Sequence, residues 1–60
     1  MSDAYKRLVE LAKVAESTVK AYDAVLNAQQ TGNPDKITEA RRNLTSWMTD
    51  LELKARQAQR

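Results

Sequence analysis

The stretch Gln29-Gln30-Thr31-Gly32-Asn33-Pro34-Asp35 decides the fold, because it holds the single glycine and the single proline of the 60-residue chain. Gly32 suits the left-handed conformation that closes a helix, and Asn33 suits the N-cap of the next one. Pro34 fits a first helical turn, and Asp35 places a negative charge near the positive end of that helix dipole. The stretch therefore predicts the end of one helix and the start of another.

Two long segments without glycine or proline flank this turn. We predict helix 1 over about residues 3 to 30, started by Ser2 or Asp3, a turn at 31 to 33, and helix 2 over about 34 to 58. At about 1.5 Å per residue each helix is roughly 40 Å long. Helices of equal length joined by a short turn pack side by side. The predicted fold class is all-α, a single antiparallel two-helix hairpin.

The small size of the chain predicts that this hairpin needs a partner. Apolar burial and the entropy cost of ordering nearly cancel for a chain of 6.8 kDa, and the sequence holds no cysteine for a disulfide. We therefore expect oligomerisation to complete the core, as a four-helix bundle or a larger helical assembly. The expected partner is the protein itself or another helical protein.

Apolar residues recur at helical spacing in both segments. With Leu8 and Ile37 each at heptad position a, and with the chain folded at Gly32, positions e and a of helix 1 face positions a and d of helix 2. The expected pairs are Leu26 with Ile37, Val19 with Leu44, Ala12 with Leu51, Tyr5 with Ala58, Tyr22 with Ala40, and Ala15 with Trp47. Large residues face small ones at most of these levels, which favours interdigitating packing.

Helix 1 carries more apolar surface than helix 2 can cover. We expect its remaining apolar residues to form a second, outer contact surface: Val9, Leu11, Val14, Ala21, Val25 and Ala28. On this reading Val14→Asp weakens association and spares the hairpin, whereas Leu51→Asp unfolds it. The predicted core and partner-interface residues are Leu11, Val14, Val19, Tyr22, Val25, Leu44, Trp47, Met48 and Leu51.

The composition argues against an enzyme. The sequence has no histidine and no cysteine, which excludes His-assisted nucleophiles, thiol chemistry and the usual zinc ligands. The carboxylates have ordinary helical partners at i, i+4 spacing: Glu16 with Lys20, Asp50 with Lys54, and Glu52 with Arg56. We predict no catalytic, cofactor-binding or metal-ligating residue and no small-molecule substrate.

Thr18 is expected to donate a hydrogen bond from its hydroxyl to a backbone carbonyl one helical turn earlier.

Basic residues on helix 2 support an alternative reading. The net charge is +2, and Lys36, Arg41, Arg42 and Arg56, with Arg60, would form a loose strip suited to phosphates without base readout. The aromatic residues that would stack on bases, Tyr5, Tyr22 and Trp47, fall on the predicted core face. Nucleic acid is thus a second, weaker candidate partner.

The chain shows no signal of a membrane or secretory segment. Its longest apolar run has three residues, from Ala24 to Leu26, far short of a secretory core or a membrane helix. We expect no membrane partner. The expected location is the cytoplasm, or an exported assembly reached without a cleavable signal.

Two equal helices and a short turn are similar to the Rop-type hairpins encoded on plasmids, which dimerise into four-helix bundles and bind RNA. In this chain Lys36, Arg41 and Arg42 would then carry the RNA contact. The segment Gly32-Asn33-Pro34-Asp35 followed by Ile37, Leu44 and Trp47 also resembles the needle and inner-rod subunits of type III secretion systems. The predicted function is that of a non-enzymatic structural or interaction protein of accessory, phage or secretion-assembly type; the alternative is a Rop-like nucleic-acid-binding regulator.

Overall fold

The computed structural model describes residues 2–59, which form two α-helices joined by a tight turn. Helix α1 spans Asp3–Thr31 and helix α2 spans Pro34–Ala58. The helices pack against each other, which confirms the predicted all-α hairpin. Its Cα atoms extend over 46 × 14 × 10 Å, so the hairpin is a rod one helix layer thick.

The ends of α1 follow the sequence signals. The Ser2 hydroxyl accepts a hydrogen bond from the Tyr5 N–H at 3.3 Å, which caps the first turn. Gly32 adopts φ 69°, and its N–H donates to the Gln29 carbonyl at 3.2 Å. The predicted left-handed closure of α1 at Gly32 is therefore confirmed.

The start of α2 is capped by the residue expected to cap it. The Asn33 side-chain oxygen accepts hydrogen bonds from the N–H groups of Asp35 at 3.0 Å and Lys36 at 3.4 Å. Pro34 occupies the first helical position, and Asp35 lies in the first turn. The predicted roles of Asn33 and Pro34 are confirmed.

Helix α1 continues through Thr31, past the expected end at 30. The Thr31 hydroxyl donates to the Ala28 carbonyl at 2.6 Å and accepts from the Asn33 N–H at 3.3 Å. These bonds hold Thr31 in the helix and leave Gly32 and Asn33 as the whole turn.

The register of the hairpin is marked by Thr18, whose hydroxyl oxygen lies 3.5 Å from the Trp47 carbonyl. Thr31 and Pro34, which bracket the turn, lie equally far along the helices from this contact. Moving from this contact toward the turn by three residues on each helix places Ala21 level with Leu44. Moving by seven more residues places Ala28 level with Ile37. Small residues of α1 thus face large residues of α2, although not the pairs that the sequence suggested.

The inward face of α1 differs from the predicted one. Its buried residues are Val14, Ala21, Val25 and Ala28. We call the surface between the helices the seam; α1 contributes Leu11, Val14, Thr18, Ala21, Val25 and Ala28, and α2 contributes half-buried residues at Ile37, Ala40, Leu44, Trp47 and Leu51. The surface expected on the outside of helix 1, apart from Val9, is therefore the one that packs on α2.

The predicted pairs across the hairpin are wrong for Tyr5, Ala12, Val19, Tyr22 and Leu26, because these side chains are exposed. Ala15, expected beside Trp47, is half-buried, and Thr18 is the residue that reaches the Trp47 carbonyl. The physical reason is close approach: alanine and threonine admit the bulky side chains of α2, whereas tyrosine and leucine at those levels would hold the helices apart.

The hairpin leaves much of its surface in solvent. Its accessible surface is 4799 Å², whereas a compact protein of this mass exposes about 4,000 Å². The excess of about 800 Å² equals the area that one partner contributes to an interface of standard size.

Candidate interaction surface

A second apolar heptad pattern runs along the exposed side of α1. Its members alternate three and four residues apart and are named here the helix 1 stripe: Tyr5, Leu8, Ala12, Ala15, Val19, Tyr22 and Leu26. The exposed fractions of its five large side chains are 54% for Tyr5, 55% for Leu8, 60% for Val19, 52% for Tyr22 and 39% for Leu26. This spacing is that of a coiled-coil contact face.

The area of the stripe is large for a single chain. Side chains of this size expose about 80 to 130 Å² each at such fractions, so the five together present about 500 Å². The largest apolar patch on a typical monomeric protein is 300–600 Å² in all, and such patches often serve in binding. A chain of 60 residues that devotes this much surface to one continuous stripe has the geometry of a docking face.

The candidate residues from the sequence divide into two groups in the structure. Six lie in the seam, where they are buried or half-buried: Leu11, Val14, Val25, Leu44, Trp47 and Leu51. Three are exposed: Val19, Tyr22 and Met48. The expectation that Val14→Asp weakens association and spares the hairpin places Val14 on the outer face of helix 1. This placement is wrong, because the Val14 side chain is only 9% exposed and lies in the seam.

The predicted interface residues omit three of the five large stripe residues: Tyr5, Leu8 and Leu26. The sequence places Tyr5 and Leu26 between the helices and gives Leu8 no partner, because helix 1 carries two apolar patterns that are equally regular. The distinguishing signal is residue size, since the neighbouring pattern places Ala21 and Ala28 level with the bulkiest aliphatic residues of helix 2.

The two sides of the hairpin differ in polarity. On one side a shallow groove between the helices is lined by alanines and by polar residues, the latter including Asn27, Lys36, Glu39 and Asn43. Met48, which is 54% exposed, lies on the opposite flank of α2, turned to the same side as the helix 1 stripe. Apart from Leu53, the large exposed apolar side chains of the described residues thus lie on one side.

Two polar side chains lie in the seam or at its edge. The Thr18 hydroxyl donates to the Val14 carbonyl at 2.8 Å, which confirms the predicted bond to the preceding turn. The Lys54 ammonium pairs with the Glu10 carboxylate of α1 at 3.9 Å. The predicted pairing of Lys54 with Asp50 is therefore wrong. The half-buried Lys54 side chain extends across the hairpin, and its ammonium group reaches solvent at the edge of α1.

The remaining ion pairs are exposed and lie within single helices. Glu16 pairs with Lys20 at 3.4 Å, and Glu52 pairs with Arg56, as the spacing predicts. Such pairs contribute a few tenths of a kcal/mol each. Within residues 2–59, no cluster of three potential metal-ligating acids was found.

The basic residues of α2 point in different directions. Arg41 and Arg42 are exposed, Lys36 lines the polar groove, and Arg56 is paired with Glu52. At about 100° per residue, Lys36 and Arg41 are about 140° apart around the helix. Arg60 lies outside the described residues.

The aromatic residues also differ from expectation. Tyr5 and Tyr22 are exposed members of the helix 1 stripe, so the prediction that they lie in the core is wrong. Trp47 is half-buried in the seam, as its position opposite small residues of helix 1 requires.

No protein-family model matches the chain, and comparisons with curated proteins and with solved structures give no significant match. Neither helix, over the part of the chain that the structure describes, has the length and apolar content needed to cross a membrane.

Proposed function

We propose that this protein is a non-enzymatic structural or interaction protein, a helical hairpin that completes its core by packing the helix 1 stripe against another helix. The partner is a copy of the chain or another helical protein, and the product is a four-helix bundle or a larger helical assembly. The observation that carries the proposal is the stripe itself, whose five large side chains are 39% to 60% exposed.

The energetics support a partner. Covering about 500 Å² of apolar surface on each of two chains removes that surface from water, which favours association. This gain opposes an estimated cost of 4–15 kcal/mol in lost freedom, before the ordering of side chains. Such a module fits an accessory, phage or secretion-assembly role, in the cytoplasm or in an exported assembly.

The test combines solution mass with capture from the native host, using the full chain and two variants. Val19→Asp places a charge in the stripe, and Leu53→Asp is the matched control, since Leu53 is 51% exposed but lies on the far side of α2. We expect the wild type and Leu53→Asp to associate, with themselves or with a host protein, and Val19→Asp to lose that association while keeping its helical circular dichroism. Identical behaviour of all three chains in both measurements would refute the proposal.

The alternative function, a Rop-like nucleic-acid-binding regulator, is supported by one observation. Arg41 and Arg42 are adjacent and exposed, and neither has an ion pair within residues 2–59. On this alternative, Arg41→Ala with Arg42→Ala abolishes binding without lowering the melting temperature, and affinity falls steeply with salt. Absence of any RNA or DNA shift at about 50 mM salt would eliminate it.

A further inference from the structure

The helix 1 stripe and the seam are related by a single residue step. From Ala12 onward each stripe residue directly follows a seam residue, as Ala12 follows Leu11, Ala15 follows Val14, and Val19 follows Thr18. One residue corresponds to about 100° around an α-helix. A helix in a square four-helix bundle contacts two neighbours about 90° apart, so α1 has the two faces that such a helix requires.

We propose that the helix that covers the stripe is α1 of a second copy, in antiparallel orientation, so that two hairpins form a four-helix bundle with their turns at opposite ends. This inference rests on the proposed function and names its partner. A second copy presents the same stripe, so apolar surface meets apolar surface. Helix α2 offers only Met48 on that side as a large exposed apolar residue.

The orientation follows from the handedness of the helices. In an antiparallel pair of α1 helices, the twofold axis is perpendicular to the plane that contains both helices. Rotation about this axis leaves the direction perpendicular to the plane unchanged, so both seams face the same side of the pair. The two α2 helices then lie next to each other and close the bundle. In a parallel pair the seams face opposite sides, which leaves the α2 helices apart and the bundle open.

The order of residue sizes selects a register. When the level midway between Leu8 and Leu26 lies on the twofold axis, Ala12 faces Tyr22 of the other copy, and Ala15 faces Val19. Leu8 faces Leu26 at both ends of the contact. Small residues thus oppose large ones in the middle, as interdigitating packing requires.

Met48 provides an independent check on this register. The Thr18–Trp47 contact places Met48 level with Ser17 of α1, which is the level of the proposed axis. In the closed bundle the two Met48 side chains therefore meet across the axis between the α2 helices. The arrangement covers the one large apolar side chain of α2 that is exposed on this side within the described residues.

Area and charge agree with a second copy. The four large stripe residues from Leu8 to Leu26, together with Met48, contribute about 500 Å² per chain, or about 1,000 Å² in total, which is the least that a specific interface buries. The outer edge of the stripe carries Glu16 and Asp23. These acids disfavour an anionic lipid surface or a nucleic acid as the occupant, since both are negatively charged. The Lys20 ammonium, 3.4 Å from Glu16, offsets the charge that two copies bring together.

The experiment is disulfide formation in single-cysteine variants, because the natural sequence contains no cysteine. Under oxidation Met48→Cys should give a covalent dimer, and Leu8→Cys alone should not, since its two copies lie about 27 Å apart in the proposed register. A mixture of Leu8→Cys and Leu26→Cys should cross-link efficiently. Leu53→Cys, on the far side of α2, is the control for random collision.

Each result decides the proposal. Efficient cross-linking of Leu8→Cys alone would indicate a parallel pair and overturn it, as would failure of Met48→Cys above the level of Leu53→Cys. All four substituted side chains are exposed, so the variants should fold, and circular dichroism checks this. A monomeric wild type whose capture of a host protein is lost in Val19→Asp would overturn the second copy while leaving the proposed function intact.

Discussion

Val25→Ala and Val19→Ala make the same chemical change on the two apolar faces of α1, so their comparison tests which face is inside. The Val25 side chain is 6% exposed and the Val19 side chain is 60% exposed. Removing two buried methyl groups with partial cavity formation costs about 2 to 3 kcal/mol. Alanine returns about 0.5 kcal/mol through its higher helix propensity, and this gain is common to both variants.

We therefore expect Val25→Ala to lose about 2 kcal/mol of unfolding free energy and Val19→Ala to be nearly neutral in dilute solution. For a chain of this size the difference corresponds to a separation of roughly 10 °C in melting temperature. Thermal unfolding followed by circular dichroism, at several protein concentrations, measures it. If the chain self-associates through the stripe as proposed, the Val19→Ala deficit should grow with concentration, whereas the Val25→Ala deficit should persist at every concentration. Equal losses in dilute solution would refute the assignment of the two faces.

Three further substitutions test the turn and the seam. Gly32→Ala should cost about 1 kcal/mol in urea unfolding, because the backbone has φ 69° while a new Cβ would meet no atom within 4 Å; a neutral result would contradict the left-handed closure. Asn33→Ala should cost about 1 kcal/mol through loss of the cap on α2, whereas Asn33→Ser should retain most of that stability in the same assay. Lys54→Met should be neutral or stabilising by up to about 1 kcal/mol, since the Lys54 side chain is 29% exposed and its pair with Glu10 spans 3.9 Å; a large loss would show that the ion pair outweighs apolar packing at this level.

The turn and the helices could be read from the sequence because their signals are local. Gly32, Asn33 and Pro34 each act on the backbone within a few residues, and the structure uses all three as expected. The ion pairs Glu16–Lys20 and Glu52–Arg56 are equally local.

The inward face of α1 could not be predicted from such local signals, because it depends on how residues far apart in the sequence pack against each other. Helix α1 ends at Thr31, and the Thr18–Trp47 contact marks the register of the hairpin. In this register the alanines at 21 and 28 lie level with Leu44 and Ile37 of α2. Apolar periodicity alone does not distinguish two patterns that differ by one residue step; the sizes of the facing residues do.

The one-residue offset between seam and stripe also affects how such a chain tolerates changes in length. If one residue were inserted between Ala12 and Lys13, the helix before it would turn by about 100°, which brings Ala12 and Leu8 to the places now held by Leu11 and Arg7. The hairpin would keep an apolar inner surface, while its outer surface near the amino terminus would acquire a different set of residues. A single codon insertion would thus exchange the residues that this end of α1 presents to solvent while keeping apolar side chains toward α2.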